Sequence, residues 1–229
     1  PASHRADYIP PLQNGDHLVA TEFLRRFEAM PEVKKAELIQ GIVYMASPVR
    51  AEQHSEPDSL IQTWIGYYSS VTPGVISGTN GTVQLDEENT VQPDGYIRLA
   101  PEAGGNCSIR DNGYLLGSPE LVVEVAASSV SIDLREKLES YEASGVQEYV
   151  VFRTEDGCVD WWQLRDGEFA PRTAENGVFK SDIFPGLWLN PDALIQQDGL
   201  NLMKTLQDGL ASAEYTTFAE GLRQKAQVP

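Results

Sequence analysis

The sequence predicts an α/β (α+β) fold in which a mixed β-sheet is flanked by helices. Three observations carry this. Residues 121–126 (LVVEVA) and 148–152 (EYVVF) are strand-like and enclose a helical stretch, the order of a βαβ unit with parallel strands. Between residues 53 and 68, Leu60, Ile61, Trp64, Ile65 and Tyr68 recur with the 3.6-residue period of an amphipathic helix. Residues 36–39 and 42–45 are strand-like on either side of Gln40-Gly41, a hairpin signature in which the glycine supplies the turn.

In chain order, the first twenty residues carry Pro1, Pro10, Pro11, Asn14 and Gly15 without periodicity and read as an arm. A helix starts near Thr21, sets Phe23, Leu24 and Phe27 on one face, and stops at Pro31. After the hairpin, Pro48 ends the second strand. Pro73-Gly74 follows the amphipathic helix and turns the chain into short strands near 75–76 and 82–85. Residues 86–89 form a polar loop, 91–99 a strand region entered at Pro93, and 101–113 a surface loop. Strand 121–126 is central and buried, because Glu124 is its one polar residue. Residues 128–132 connect it to a helix from Asp133 to Ser144. Asp133 and Glu136 resemble a capping box there, and Gly145 is a C′ stop. Residues 158–163, with Trp161-Trp162, form a further strand, and Phe184-Pro185-Gly186-Leu187 turns into a short terminal one. From Asn201 onward Leu202, Leu206 and Leu210 recur every four residues, and Phe218 and Leu222 continue the stripe loosely. Gly209 and Gly221 weaken this helical tail, so it needs a docking surface. The expected division is an arm at 1–20, one α/β domain at 21–195 and a helical tail at 196–229.

The 229 residues include 17 Lys and Arg against 34 Asp and Glu, a formal charge of −17. That excess argues against a protein that coats nucleic acid or a membrane through a basic surface. Residues 1–137 hold 10 basic and 19 acidic side chains and the remainder 7 and 15, so neither part is a basic module. Two cysteines without CxxC spacing argue against a disulfide framework or a Cys-rich zinc site. No apolar run approaches the ~18 residues of a membrane span, and the first residues lack the apolar core of a secretion signal. The expectation is a soluble, cytoplasmic protein with no membrane partner. No GxxxxGK[ST], GxSxG or HExxH element is present, which removes the P-loop, esterase and zinc-protease readings.

Two acids sit where acids are costly. Alternation along 121–126 puts Val122, Glu124 and Ala126 on one face and Leu121, Val123 and Val125 on the other. A carboxylate buried at 124 needs a proton or a cation. The plain alternative is a strand acid turned to solvent or paired with an arginine. Asp94 follows Pro93 at the edge of another strand. Lys137 lies on or beside the Leu134, Leu138, Tyr141 stripe of the next helix, where it either snorkels or reaches the end of the Glu124 strand. In open α/β sheets that strand end, next to a helix N-terminus, is where phosphates bind.

In this order and spacing the residues resemble a known family. Pro93-Asp94, the 121–126 strand with Glu124, Asp133-x-x-x-Lys137 and Tyr141-x-x-x-Gly145-Val146-x-Glu148-Tyr149 are similar to the PD-(D/E)xK nuclease superfamily. They are most similar to its bacterial branch of restriction-endonuclease-like proteins. The likeness runs from about Thr21 to about Ile195 and takes in Glu37-Leu38-Ile39-x-Gly41, His54 and Phe184-x-Gly186-Leu187. The superfamily pattern E-x-K would put a lysine at 126, where this chain has Ala126. In this branch the lysine stands on the following helix, at Lys137.

The resemblance implies a restriction-endonuclease-like fold, a divalent metal and hydrolysis of DNA phosphodiesters. Asp94 and Glu124 would then hold Mg²⁺ or Mn²⁺ through hard oxygen ligands, with the Val125 carbonyl as a further ligand. Lys137 would orient the attacking water and offset charge in the transition state. Glu37 would add a carboxylate directly or through water, or is an ordinary strand acid. His54 would donate to a phosphate oxygen or assist the leaving group, or is a helix-capping residue. Arg25, Arg26, Lys34, Lys35 and Arg50 are candidates for a local basic patch. Two alternatives stay open: a catalytically silent protein of the same fold that binds nucleic acid or a protein, and a hydrolase of a small phosphodiester. The tail stripe and the Trp161-Trp162 pair suggest a homodimer.

Overall fold

The computed structural model describes residues 8–45, 50–127 and 130–226. The Pro48 strand stop, Ser128 at the start of the connection, and the extreme ends of the arm and tail lie outside these residues. Helix α1 (Ala20–Glu28) buries Phe23, Leu24 and Phe27 against the hairpin β1 (Ala36–Ile39) and β2 (Ile42–Met45). Gln40 (φ 51°) and Gly41 (φ 75°) both take the left-handed conformation that a two-residue hairpin turn demands. A wide π-helical turn, Ala51–Ser55, leads into α2 (Glu56–Val71). Seven strands follow: β3 (Val75–Gly78), β4 (Val83–Gln84), β5 (Thr90–Val91), β6 (Gly95–Leu99), β7 (Ser108–Ile109), β8 (Leu115–Leu116) and β9 (Leu121–Ala126). After α3 (Val130–Asp133) and α4 (Glu136–Ala143) come β10 (Glu148–Arg153), β11 (Cys158–Arg165), β12 (Glu168–Pro171), β13 (Phe179–Lys180) and β14 (Trp188–Leu189). The chain closes with α5 (Pro191–Ile195), α6 (Gly199–Leu210) and α7 (Ala213–Ala226).

The fold is of the expected α/β class, with its strands divided between two six-stranded mixed sheets. One runs β2-β1-β5-β4-β8-β7 and the other β12-β11-β10-β9-β6-β3; β13 and β14 pair separately. The βαβ unit forms as its sequence requires: β9 and β10 are parallel, with Leu121 opposite Glu148 and Ala126 opposite Arg153. Alternation along β9 separates two cores. Leu121, Val123 and Val125 pack with α2 and the C-terminal helices. Val122 and Ala126 face Ile39, Val83 and Val91 of the other sheet, together with Tyr141 and Tyr149. Glu124 shares that inner face and lies between the sheets.

Several expectations need correction. The strand region 91–99 is two strands in two sheets. β5 belongs to the first, β6 to the second, and Gln92-Pro93-Asp94 crosses between them. Pro93 has no N–H for a ladder and restricts the residue before it, so pairing stops there. The helix at 133–144 is likewise two. Arg135 (φ −131°, ψ −85°) is the N-cap of α4, and Asp133 is buried in α3 instead of capping. The 101–113 loop contains a 3₁₀ turn at Pro101–Ala103 and strand β7. Trp161 is buried, set edge-on to Trp64 and stacked on Phe179, while Trp162 stacks on Tyr149. The aromatic pair and the tail stripe are therefore used inside the subunit: Leu202, Leu206 and Leu222 enter the same core as Trp64. Within the arm, Gly15 N–H bonds the Val43 carbonyl and Leu18 N–H the Gly41 carbonyl, which ties it to the hairpin. Among the described residues no helix is long and apolar enough to cross a membrane.

Candidate active site

The crossing between the sheets brings the predicted acids together. Asp94 sits on it, Glu124 comes from the middle of β9 and Glu37 from β1. Each contact has a local cause. Gly95 lets α2 approach, since a Cβ there would lie 2.9 Å from the Ile65 side chain; Gln62 of that helix then donates to the Asp94 carbonyl at 2.7 Å. The Asp94 carboxylate accepts from the Val125 N–H at 2.9 Å, and the Asp94 N–H approaches a Glu124 oxygen at 3.4 Å. Each carboxylate thus rests on the backbone of the other's segment. Gln92 frames Glu37: its N–H donates to Glu37 Oε1 at 2.7 Å, while its side-chain oxygen accepts from Ala36 N–H at 3.0 Å.

Lys137 reaches the same place from α4. Its Nζ lies 2.9 Å from Glu124, 3.1 Å from Glu37 and 3.5 Å from Asp133. Tyr141, one turn on, donates to Glu124 Oε1 at 2.9 Å. On the solvent side of Asp94, Lys35 Nζ lies 2.9 Å from Oδ1 and His54 Nε2 3.3 Å from Oδ2. The π-helical turn carries His54 to that position.

Burial governs the charges. Glu124 is 2% exposed, and burial pushes its carboxyl up to about 8; Lys137 opposes this, while Asp94, Asp133 and Glu37 add to it. Burial also works against the Lys137 ammonium, but Glu124, Glu37 and Asp133 outweigh it and hold the group far above its ordinary value. For Asp94, burial is offset by the His54 hydrogen bond and by the charges of Lys35, His54 and Lys137, so its carboxyl is held below the usual range. The hydrogen bond to Asp94 raises His54, and burial raises Asp58, which accepts from Gln62 at 2.8 Å.

All five predicted side chains, Glu37, His54, Asp94, Glu124 and Lys137, thus meet in one place. Val125 meets Asp94 through its N–H. Among the described residues, no three His, Cys, Asp or Glu side chains form a ready-made metal cage. The donor chemistry still suits a hard divalent ion. Four buried acids, Glu37, Asp94, Glu124 and Asp133, face two lysines and one histidine, and Glu124 is costly to ionise without a further cation. Reading the sequence alone assigns no catalytic or metal-binding role to Asp133 or Tyr141, and takes Lys35 only as one member of a basic patch. A signal for two of them is present: Asp133, Lys137 and Tyr141 are spaced i, i+4, i+8 on one helical face. Of the expected basic patch, Lys35 reaches the site, while Arg25 and Arg26 pair with Glu22 and Lys34 bonds the Pro31 carbonyl.

With this geometry in place, comparison with known proteins is decisive on family. The model of the Uma2 family, described as "putative restriction endonuclease", matches residues 21–192. The chain belongs to the Uma2 family. Its matched span coincides closely with the stretch that carries the sequence resemblance. No curated protein matches the chain. Among solved structures, a "putative nuclease belonging to DUF820" from Anabaena variabilis ATCC 29413 aligns with a TM-score of 0.57 at 14% identity. The alignment covers 76% of this chain and 97% of that one. At that identity the likeness speaks for the fold, which is restriction-endonuclease-like.

Proposed function

We propose that this Uma2 protein is a metal-dependent DNA endonuclease that hydrolyses phosphodiester bonds at the Asp94–Glu124 site. The observation that carries the reading is the convergence of three buried carboxylates, Glu37, Glu124 and Asp133, from three separate stretches of chain, on a single buried lysine, with a fourth buried acid, Asp94, against Glu124. A structural ion pair needs one acid per lysine; this excess calls for a further cation. Asp94 and Glu124 would hold Mg²⁺ or Mn²⁺, with Val125 supplying backbone. When bound, such an ion polarises a phosphodiester and acidifies water. The chain's own groups set the stage. Val125 N–H and His54 orient the Asp94 carboxylate; Tyr141 and Lys137 orient that of Glu124. Gln92 fixes Glu37 beside Lys137, where it would add a carboxylate to the site directly or through water. His54, 18% exposed at the rim, is placed to donate to a phosphate oxygen.

The test is nicking of supercoiled plasmid with Mg²⁺ or Mn²⁺. Wild type should cut, and Asp94→Ala, Glu124→Ala and Lys137→Ala should each lose at least ~10² in rate, the scale of removing one charge-stabilising group. If wild type and these variants are equally inert across metals and substrates, the silent binding protein is the correct reading. Cutting both strands of a duplex further implies two cooperating copies, which sedimentation at several concentrations would detect.

A further inference from the structure

We infer that Lys35, and not Lys137, is the lysine of this site that contacts the substrate's phosphate. The inference rests on the nuclease reading above and assigns a role within that site. It follows from comparing the surroundings of the two ammonium groups. A lysine ammonium has three N–H groups. That of Lys137 donates to Glu124 and has Glu37 and Asp133 within 3.5 Å, and its side chain is 5% exposed. Enclosed by three carboxylates and buried, it is screened from an incoming anion. Its placement is that of a positioning residue, which holds Glu124 and Glu37 in register.

Lys35 has the opposite character. Its side chain is 30% exposed, while the Asp94 carboxylate it touches is 4% exposed, so it spans from solvent into the site. Among the described residues it bonds Asp94 Oδ1 at 2.9 Å and Asn80 Oδ1 at the longer distance of 3.4 Å. One donor remains for a third partner. The position is fixed from both sides. Gln92 clamps the next residue, Ala36, to the segment that carries Asp94, and Asn80 N–H bonds the Pro93 carbonyl at 3.0 Å. His54 flanks the other Asp94 oxygen, so Lys35 and His54 form a pair of donors on the two oxygens of Asp94, both more exposed than the acid they hold. In a chain of formal charge −17, these two residues are where a phosphodiester would find donors beside the buried acids.

The decisive measurement is the salt dependence of duplex binding. Anisotropy of a labelled duplex, between about 50 and 200 mM salt, gives the slope of log K against log salt, whose magnitude is about 0.9 for each phosphate that the protein neutralises. In Lys35→Met the slope should shrink by about 0.9, and in Lys35→Arg, which keeps the cation, it should stay at the wild-type value. Removing the Asp94 pairing alone alters stability without moving this slope. An unchanged slope in Lys35→Met, with wild-type binding intact, overturns the assignment and leaves the nuclease reading standing. A slope that shrinks equally in Lys35→Arg overturns it as well. Absence of duplex binding by wild type at the lowest salt removes both this assignment and the nuclease reading.

Discussion

At Glu124 the alternation of β9 forces a carboxylate onto the face that also buries Val122 and Ala126. The fold tolerates this only because Lys137 and Tyr141 arrive from α4. Removing the lysine should therefore be far worse than removing a surface charge. Above pH 8, where Glu124 is ionised, Lys137→Met is expected to cost about 3–5 kcal/mol, and adding Glu124→Gln should return part of it, because one uncompensated buried charge is then gone. Urea midpoints of the single and double variants check this; a near-neutral Lys137→Met would mean that the surrounding acids are not ionised. A second buried acid, Glu148, gives a pH test away from the site. Burial pushes it from 4.5 up to about 7, against hydrogen bonds from Ser181 and Asp182 and the charge of Arg172. Between those values the folded chain holds a proton that the unfolded chain releases. This contribution to stability is complete below pH 4.5 and is lost as the pH rises through 7. Relative to Glu148→Gln, wild type should lose up to about 3 kcal/mol across that window; a pH-independent difference between the two would contradict it. Of the site, Asp94, Glu124 and Lys137 are legible in the sequence because each breaks a local rule: an acid after a proline at a strand's edge, an acid inside an apolar strand, a lysine on an apolar face. Lys35 is legible only as one of five basic-patch candidates, because a lysine before a hairpin breaks no rule.

Among the elements, the end of α4 is built most directly from its sequence. Gly145 takes φ +82°, its N–H bonds the Glu142 carbonyl at 3.0 Å, and Val146 N–H reaches back to Tyr141 at 3.0 Å. This is a Schellman stop, and it fixes Tyr141 at the distance from which its hydroxyl meets Glu124. Gly145→Ala meets no neighbour within 4 Å, so its cost is purely conformational, about 1–2 kcal/mol. Thermal unfolding should show that loss with the β9–β10 pairing otherwise intact; a neutral change would mean the helix end can rearrange. Elements with a local signal, such as the Gln40-Gly41 hairpin, α2 and the β9–β10 pair, are readable in advance. The break at Arg135 and the switch of sheets at Pro93 are not. Each depends on contacts with distant parts of the chain: Asp133 turns inward to Lys137, whose own place is set by Glu37 and Glu124, and β6 leaves its neighbours to pair with Val123 and Leu121.

For the molecule as a whole, the question is what holds the C-terminal helices onto the nuclease-like body. Leu202 and Leu206 of α6 are buried with Trp64 and Phe184, so these helices complete the core under β9. The contact is set by backbone proximity. A Cβ added at Gly209 would lie 2.3 Å from the Gly186 carbonyl oxygen and 2.7 Å from Trp188, and Gly186 itself is held at φ +87°. In an isolated helix, alanine in place of glycine is worth about 1 kcal/mol of stabilisation. Here the obstructing atom belongs to the backbone and cannot rotate aside, so α6 must lift and draw Leu202 and Leu206 partly out of the core. Overpacking of that kind costs about 1–3 kcal/mol, which outweighs the helix gain. Gly209→Ala is thus expected to lower the unfolding midpoint and to increase amide exchange in α6 and α2 together, since Trp64 N–H also bonds the Trp188 carbonyl at 2.9 Å. A stabilised Gly209→Ala, or exchange confined to α6, would show instead that the tail is an independent appendage whose loss leaves the site's scaffold untouched.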